Sequence, residues 1–191
     1  MIVTAATANP GKLRELAELL GSRLRLVPAS EPYRAPPESG ASYRENACIK
    51  ARALFATLGL AVLADDSGLE VDALGGRPGV HSARYGKEPA DRNQCLLDEL
   101  HGRVGAERRA RFRTAIVLIL VGGRELIADG HCEGEIAEAP RGAGGFGYDP
   151  LFLLPALGRT LAELTRGEKN RFSARAAAAR ALVGELDRLG I

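Results

Sequence analysis

The sequence contains no tryptophan and one methionine, and aromatic residues make up only 5% of its 191 positions. Its core must therefore be built from Leu, Val, Ile and Ala rather than from large rings. Cysteine is as sparse: Cys48, Cys95 and Cys132 are odd in number and far apart. No zinc spacing or disulfide framework follows from them, and free thiols in a reducing cytoplasm are expected. His81, His101 and His131 form no metal-ligand pattern, and no Ser–His or Cys–His nucleophile pair is legible. An excess of one charge is missing too. The 26 Lys and Arg nearly cancel the 24 Asp and Glu, leaving a net charge of +2, which excludes the basic footprint of a general nucleic-acid binder. The longest apolar run, Ala115 to Val121, is far too short to span a bilayer as a helix. Residues Met1 to Thr7 lack the basic segment and long apolar stretch of a secretory leader. The expectation is a soluble cytoplasmic protein with neither a membrane nor a nucleic-acid partner.

What is present is ordinary globular composition, 46% hydrophobic and 26% charged, at a length that suits one domain over residues 1–191. Ile2 to Ala6 reads as a strand that runs into the turn Thr7-Ala8-Asn9-Pro10-Gly11-Lys12. Leu13, Leu16, Ala17 and Leu20 then mark one face of an amphipathic helix, stopped at Gly21. Leu24 to Val27 reads as a second strand, followed by a loop through Pro28, Pro32, Pro36 and Pro37. Ser42 and Glu45 have the spacing of a capping box, ahead of a stripe formed by Ala47, Ala51, Leu54 and Leu58. Leu60 to Ala64 is a third short apolar run, ending in Asp65-Asp66-Ser67-Gly68. Glycines at 75, 76, 79 and 86 break regular structure, and a helix is expected over Asp91 to Leu100. Ala115 to Val121 is the strongest strand in the chain. Gly122-Gly123 turns it back into a partner over Arg124 to Ala137. A glycine cluster from Gly142 to Gly147 leads to the apolar run Leu151 to Leu154, and the alanine-rich tail from Ser173 to Leu189 reads as a helix. This order predicts an α/β protein with a mixed sheet.

Five places carry candidate chemistry, and all but Glu38 have a plain structural alternative. A strand-to-helix turn such as Thr7 to Lys12 offers backbone N–H groups and the positive end of a helix dipole to phosphate, with Lys12 as a mobile cation. It also reads as a simple turn and helix start, and it is not a Walker loop, because Ala6 and Leu13 stand where that motif needs Gly and Ser or Thr. Asp65 and Asp66 sit at the end of a buried strand, where α/β sheets tend to place ligands. On extended backbone they point to opposite sides. They suit a hard cation such as Mg²⁺, or else a polar turn closed by Gly68. Glu38, in the Pro-rich loop, offers a carboxylate from another direction. Glu45 is better read as a helix cap and Lys50 as a solvated charge. In Gly144-Gly145-Phe146-Gly147-Tyr148-Asp149, the rings of Phe146 and Tyr148 suit base stacking and Asp149 suits a sugar or base, unless the aromatics are simply core. Lys169 and Arg175 frame the last helix, as phosphate or base contacts or as solvated charges.

Taken together, these segments are distinctive. Thr-x-Asn-x-x-Lys at 7–12, Glu38-Ser-Gly with Glu45-Asn-Ala, Ala64-Asp-Asp-Ser-Gly, Gly75-Gly-x-Pro-Gly with Ser82-Ala-Arg-Tyr, and Gly144-Gly-Phe-Gly-Tyr-Asp-Pro closely resemble the inosine/xanthosine triphosphate pyrophosphatase family. Leu161-Ala-Glu-Leu, Glu168-Lys169 and Ser173-x-Arg175 extend the likeness to the tail. The resemblance implies an elongated mixed sheet flanked by helices, two lobes around a central nucleotide-binding cleft, and a homodimer. It implies Mg²⁺-dependent hydrolysis of non-standard purine nucleoside triphosphates such as ITP, dITP and XTP to monophosphate and pyrophosphate. By position, Thr7, Ala8, Asn9, Pro10, Gly11 and Lys12 become the phosphate loop, and Glu38 and Asp66 the metal ligands. Asp66 is also the proton acceptor and, with Lys12, catalytic. Ser67, Phe146, Gly147, Tyr148, Asp149, Lys169, Ala174 and Arg175 become nucleotide contacts. Two positions depart from the family pattern: Ala8 replaces a glycine, and Ala174 replaces a histidine. The second departure keeps open a pyrophosphatase of different base specificity. A nucleotide-binding regulator that does not hydrolyse is the other alternative, and the intact Glu38, Asp66 and Lys12 argue against it.

Overall fold

The sheet grows from the apolar runs, and glycines and caps set where the helices stop. In the computed structural model, which describes residues 1–30, 34–86 and 91–191, strand β1 (Ile2–Ala5) enters helix α1 (Pro10–Leu20), and β2 (Arg25–Pro28) follows. Pro32 of the expected Pro-rich loop lies outside the described residues. Helix α2 (Tyr43–Leu58) starts at Ser42, whose hydroxyl accepts the Glu45 N–H at 3.2 Å. Glu45 turns its carboxylate to the N–H of Ala41 at 2.7 Å, one residue before the reciprocal bond of a standard capping box. Gly59 ends the helix in the left-handed region, with φ of 63° and its N–H on the Phe55 carbonyl, a conformation that costs glycine least.

Strand β3 (Val62–Val71) does not stop at the aspartates, as the polar-turn alternative required, but carries Asp65-Asp66-Ser67-Gly68 inside it. Helix α3 (Arg92–Glu99), the long strands β4 (Arg109–Ile119) and β5 (Glu125–Ile136), the short β6 (Phe152–Leu154) and β7 (Arg159–Thr160), and helices α4 (Arg166–Phe172) and α5 (Ala174–Arg188) complete the order. The strands form one sheet ordered β2-β1-β3-β4-β5-β6-β7. Strand β1 pairs parallel with β2 and with β3, whereas β6 pairs antiparallel with β5 and with β7. The expected α/β fold with a mixed sheet and flanking helices is therefore borne out.

The chain packs as two compact units. The first comprises Met1–Asp66, Thr114–Gly130 and Ala174–Ile191. Its interior is aliphatic, as the composition demanded, with Val3, Leu16, Leu20, Leu63, Ile116, Leu118, Leu182 and Leu186 among its buried residues. The alanines of α5 allow close approach to β5. A Cβ on Gly130 would overlap the Ala174 carbonyl oxygen and the Ala178 amide nitrogen, both backbone atoms that cannot swing aside. Gly130→Ala is accordingly expected to lower stability by about 1–3 kcal/mol through overpacking, read as a fall in the denaturant midpoint at unchanged slope.

The second unit comprises Ser67–Arg113 and His131–Ser173. Leu69, Leu96, Leu100, Ile136, Leu151 and Phe152 are buried in it, and the rings of Phe112 and Phe152 lie 4.6 Å apart, centroid to centroid. Arg108 is buried and, among the described residues, has no carboxylate on its guanidinium hydrogen bonds. It donates to the carbonyls of Leu100, Arg103, Ile136 and Ala137 at 2.6–3.2 Å, tying the end of α3 to the end of β5.

Candidate active site

Thr7 to Lys12 form the turn from β1 to α1, and the turn is self-braced. The Asn9 N–H donates to the Thr7 hydroxyl at 3.1 Å, and Asn9 Oδ1 accepts the N–H groups of Gly11 and Lys12 at 2.8 and 3.2 Å. Pro10 sits in the first turn of the helix, where a missing N–H costs nothing. The N–H groups of Asn9, Gly11 and Lys12 are thus taken within the turn. The helix dipole, Lys12 and the Nδ2 group of the exposed Asn9 remain suited to an anion. Ala8 adopts no positive φ, so its methyl group is accommodated without backbone strain.

Lys12 reaches across to Asp65 Oδ2 at 3.3 Å. That oxygen also accepts Nε and Nη2 of Arg175 at 3.2 and 3.1 Å, and Arg175 Nη1 pairs with Glu15 of α1. On the opposite side of the strand, Lys50 of α2 donates to Glu38 Oε1 at 2.8 Å and to Asp66 Oδ1 at 3.0 Å. Asn46, one helical turn before Lys50, donates to Asp66 Oδ2 at 3.3 Å and accepts the Gly40 N–H at 2.8 Å. A Cβ on Gly40 would lie 2.6 Å from that of Glu45 and 2.8 Å from Asn46 Oδ1, so only glycine brings the Glu38 loop this close to α2. The first unit therefore gathers Lys12, Glu38, Asp66 and Arg175 of the expected set around β3. Four carboxylates face three cations there.

The two neighbouring aspartates titrate in opposite directions. Burial opposes ionisation of Asp65, but Lys12, Arg175 and Lys50 outweigh it and hold its carboxyl well below the usual carboxylate range. Burial pushes Asp66 up, and Lys50 and Lys12 only partly offset this. Burial also lowers Lys12 despite Asp65. Lys50 is lowered by burial but raised further by Asp66, Asp65 and Glu38, so it stays charged. Paired carboxyls pushed apart in this way divide labour: Asp65 is a fixed anion, and Asp66 is the better base.

One correction concerns Lys50. Lys50 is 6% exposed rather than solvated. Arg175, expected as a nucleotide contact, is buried with its guanidinium committed to Asp65 and Glu15. Ala174, at the first turn of α5, is 3% exposed, and its methyl group is enclosed rather than offered to a ligand. Sequence reasoning also missed Glu15 and Asn46. The available signal was a buried-helix pattern in which Asn46, Lys50 and the apolar Ala47, Ala51 and Leu54 share the inner side of α2.

The second unit holds the remaining candidates. Asp149 Oδ2 accepts the Phe146 N–H at 2.7 Å and Lys169 Nζ at 2.6 Å, and Lys169 Nζ lies 4.8 Å from the centre of the Phe146 ring, within cation–π range. Gly145 has a φ of +68°, and a Cβ there would collide with the Asp149 carboxylate. Lys169 lies on α4, capped by the reciprocal pair Thr165 and Glu168. Lys169 and Arg175 thus belong to different helices and different carboxylates, separated by Ser173 in extended backbone. Tyr148 is 3% exposed and its hydroxyl donates to the Ser82 carbonyl at 3.0 Å, so its ring is core and only Phe146, half-buried, remains suited to stacking. Gly147 accepts Asn93 Nδ2 on its carbonyl at 3.2 Å. Ser67 is half-buried on β3. Among the described residues, no three His, Cys, Asp or Glu are grouped to hold a metal, and no helix is long and apolar enough to cross a membrane.

A family model described as the Ham1 family matches residues 3–185. A dITP/XTP pyrophosphatase from Thermus thermophilus is 51% identical over 188 residues, covering 96% of this chain and 90% of that protein. Among solved structures, a HAM1 protein from Coxiella burnetii superposes with a TM-score of 0.87 at 41% identity, over 98% of this chain and 99% of its own. The Ham1 protein of Staphylococcus aureus gives a TM-score of 0.87 at 34% identity, over 99% and 100%.

Proposed function

The chain belongs to the Ham1 family, and from that premise we propose that it hydrolyses non-standard purine nucleoside triphosphates (ITP, dITP, XTP) to the monophosphate and pyrophosphate. The observation that carries this reading is the pair of adjacent aspartates with different partners, Asp65 on Lys12 and Arg175 and Asp66 on Lys50 and Asn46, the first lowered by its cations and the second raised by burial. Asp66 takes the proton of a water whose oxygen bonds to the α-phosphorus. The bond from that phosphorus to the bridging oxygen breaks, and pyrophosphate departs. Lys12, beside the positive end of α1, meets the charge that develops on the leaving group. Asp65 keeps Lys12 in place without taking part in the proton transfer.

Glu38 and Asp66 are the residues that would hold magnesium. The Lys50 ammonium between them supports the fit, because it shows their oxygens converging on one cation position. Two carboxylates are as many as magnesium ordinarily takes when substrate phosphates and water complete its shell. When bound, it supplies neutralisation of the triphosphate charge. In the second unit, Lys169 and Phe146, fixed on Asp149, are the groups assigned to the nucleotide. A homodimer and a cytoplasmic location complete the reading, the latter supported by three free thiols at Cys48, Cys95 and Cys132.

Pyrophosphate release from ITP, XTP, dITP, ATP, GTP and TTP, with magnesium and with chelator, tests it. Release from the first three alone, abolished by chelator, is the expected outcome. Release spread over other bases keeps the hydrolase and moves its substrate, with Ala174 the position to blame. Tight nucleotide binding without release would make the protein a regulator.

A further inference from the structure

Glu38 arrives on the loop before α2 and Asp66 on β3, yet both aim a carboxylate oxygen at one point, 2.8 and 3.0 Å from a single nitrogen. Carboxylates converge when a shared proton or a cation stands between them. The cation in this protein is its own Lys50. We propose that Lys50 is a resident placeholder for the divalent cation: its ammonium holds Glu38 and Asp66 together in the nucleotide-free enzyme and must leave before a metal can take the same two oxygens.

This inference rests on the assignment of Glu38 and Asp66 as metal ligands. Magnesium binds oxygen at roughly 2.0–2.1 Å in near-octahedral geometry, so it cannot share the point with an ammonium group. A lysine suits the task better than an arginine, being a compact charge on a flexible stem rather than a planar fork. Asp66 keeps its orientation when the ammonium leaves, because Asn46 still donates to Oδ2 and is itself anchored to the Gly40 N–H. Two consequences follow. The nucleotide-free protein binds divalent cations weakly, since each must expel an ion already paired with both ligands. Metal entry is favoured in company with a triphosphate, whose oxygens offer the displaced ammonium a new acceptor.

The test is Mn²⁺ binding to nucleotide-free protein, followed by electron paramagnetic resonance of the free ion. Lys50→Met is expected to bind Mn²⁺ at least about tenfold more tightly than the parent, because the two carboxylates lose the cation that stands between them. Adding Glu38→Gln to Lys50→Met must abolish the gain. Equal affinity in the parent and Lys50→Met would overturn the placeholder while leaving the metal ligands standing. So would a gain that survives Glu38→Gln. Absence of Mn²⁺ binding in every form, with or without a non-hydrolysable triphosphate, would remove the metal assignment and the placeholder together. Should Lys50→Met fail to fold, the parent protein labelled with ¹³C at lysine Cε gives the answer. The Lys50 resonance must shift when magnesium and the non-hydrolysable triphosphate are added together, and a stationary resonance refutes the displacement.

Discussion

Asp66→Asn is expected to lower kcat for ITP by roughly 10²- to 10⁴-fold, the range that general-base catalysis supplies. The substitution keeps the shape of the side chain and removes its charge and its basicity. In the parent, both Asp66 oxygens serve as acceptors, Oδ1 for Lys50 and Oδ2 for Asn46. An asparagine has one acceptor and one donor there, so whichever way its amide turns, one of two buried donors faces an N–H group. That mismatch costs about 1–3 kcal/mol, small enough for the variant to be assayed folded. The kinetic loss is then read against magnesium concentration. A deficit that persists at saturating magnesium marks Asp66 as the proton acceptor. One that magnesium restores marks it as a ligand only. Near-normal turnover at all concentrations would remove both roles.

The choice of Asp66 over Asp65 rests on the family resemblance and not on the local physics of the strand. Adjacent residues on a strand point to opposite faces, so the sequence states that the two differ without stating how. The difference is made by partners far along the chain: Arg175 lies 110 residues from Asp65, and Lys50 lies 16 residues from Asp66. The same distances explain why Lys50 reads as a solvated charge and why the ion pairs of Arg175 are invisible in the sequence. A lone cation on a helix shows no carboxylate partner until the sheet brings one to it.

Local signals were legible where local physics decides. Asn9-Pro10 starts α1, Ser42 starts α2, Gly59 ends it, and Gly122-Gly123 turns β4 into β5, each through the backbone requirement of one or two residues. Asp65 to Gly68 went the other way. Asp, Ser and Gly are poor strand residues and resemble a turn, yet β3 runs through them because cations from α1, α2 and α5 pair its carboxylates. Tertiary pairing overrides propensity there, and it does so at the residues proposed to carry the chemistry.

Asp65→Asn is expected to destabilise the folded chain by about 3–5 kcal/mol at neutral pH, as breaking a buried ion pair from one side does. One Asp65 oxygen serves three donors, from Lys12 and twice from Arg175, and the side chain is wholly excluded from solvent. Asparagine offers that acceptor without charge, so Arg175 keeps Glu15 and loses Asp65 as a counter-ion, and Lys12 loses its ion pair with Asp65. At this chain length the loss corresponds to a fall in thermal midpoint of roughly 6–20 °C. Acid dependence identifies the cause. The folded pKa of Asp65 is depressed, so its stabilising contribution is complete above the unfolded value of about 3.9 and drains away as pH falls toward the folded one. The parent should therefore lose part of its advantage over Asp65→Asn as pH drops below about 4, and the two stability curves should converge. At the other end, burial already lowers Lys12 and Asp65 is its largest support. The variant should lose kcat/KM at lower alkaline pH than the parent. Urea unfolding across pH and a pH profile with ITP measure the two effects. A stability difference under about 1 kcal/mol that does not change with pH would show that Glu15 alone suffices to hold Arg175, and that Asp65 is not the fixed anion of this site.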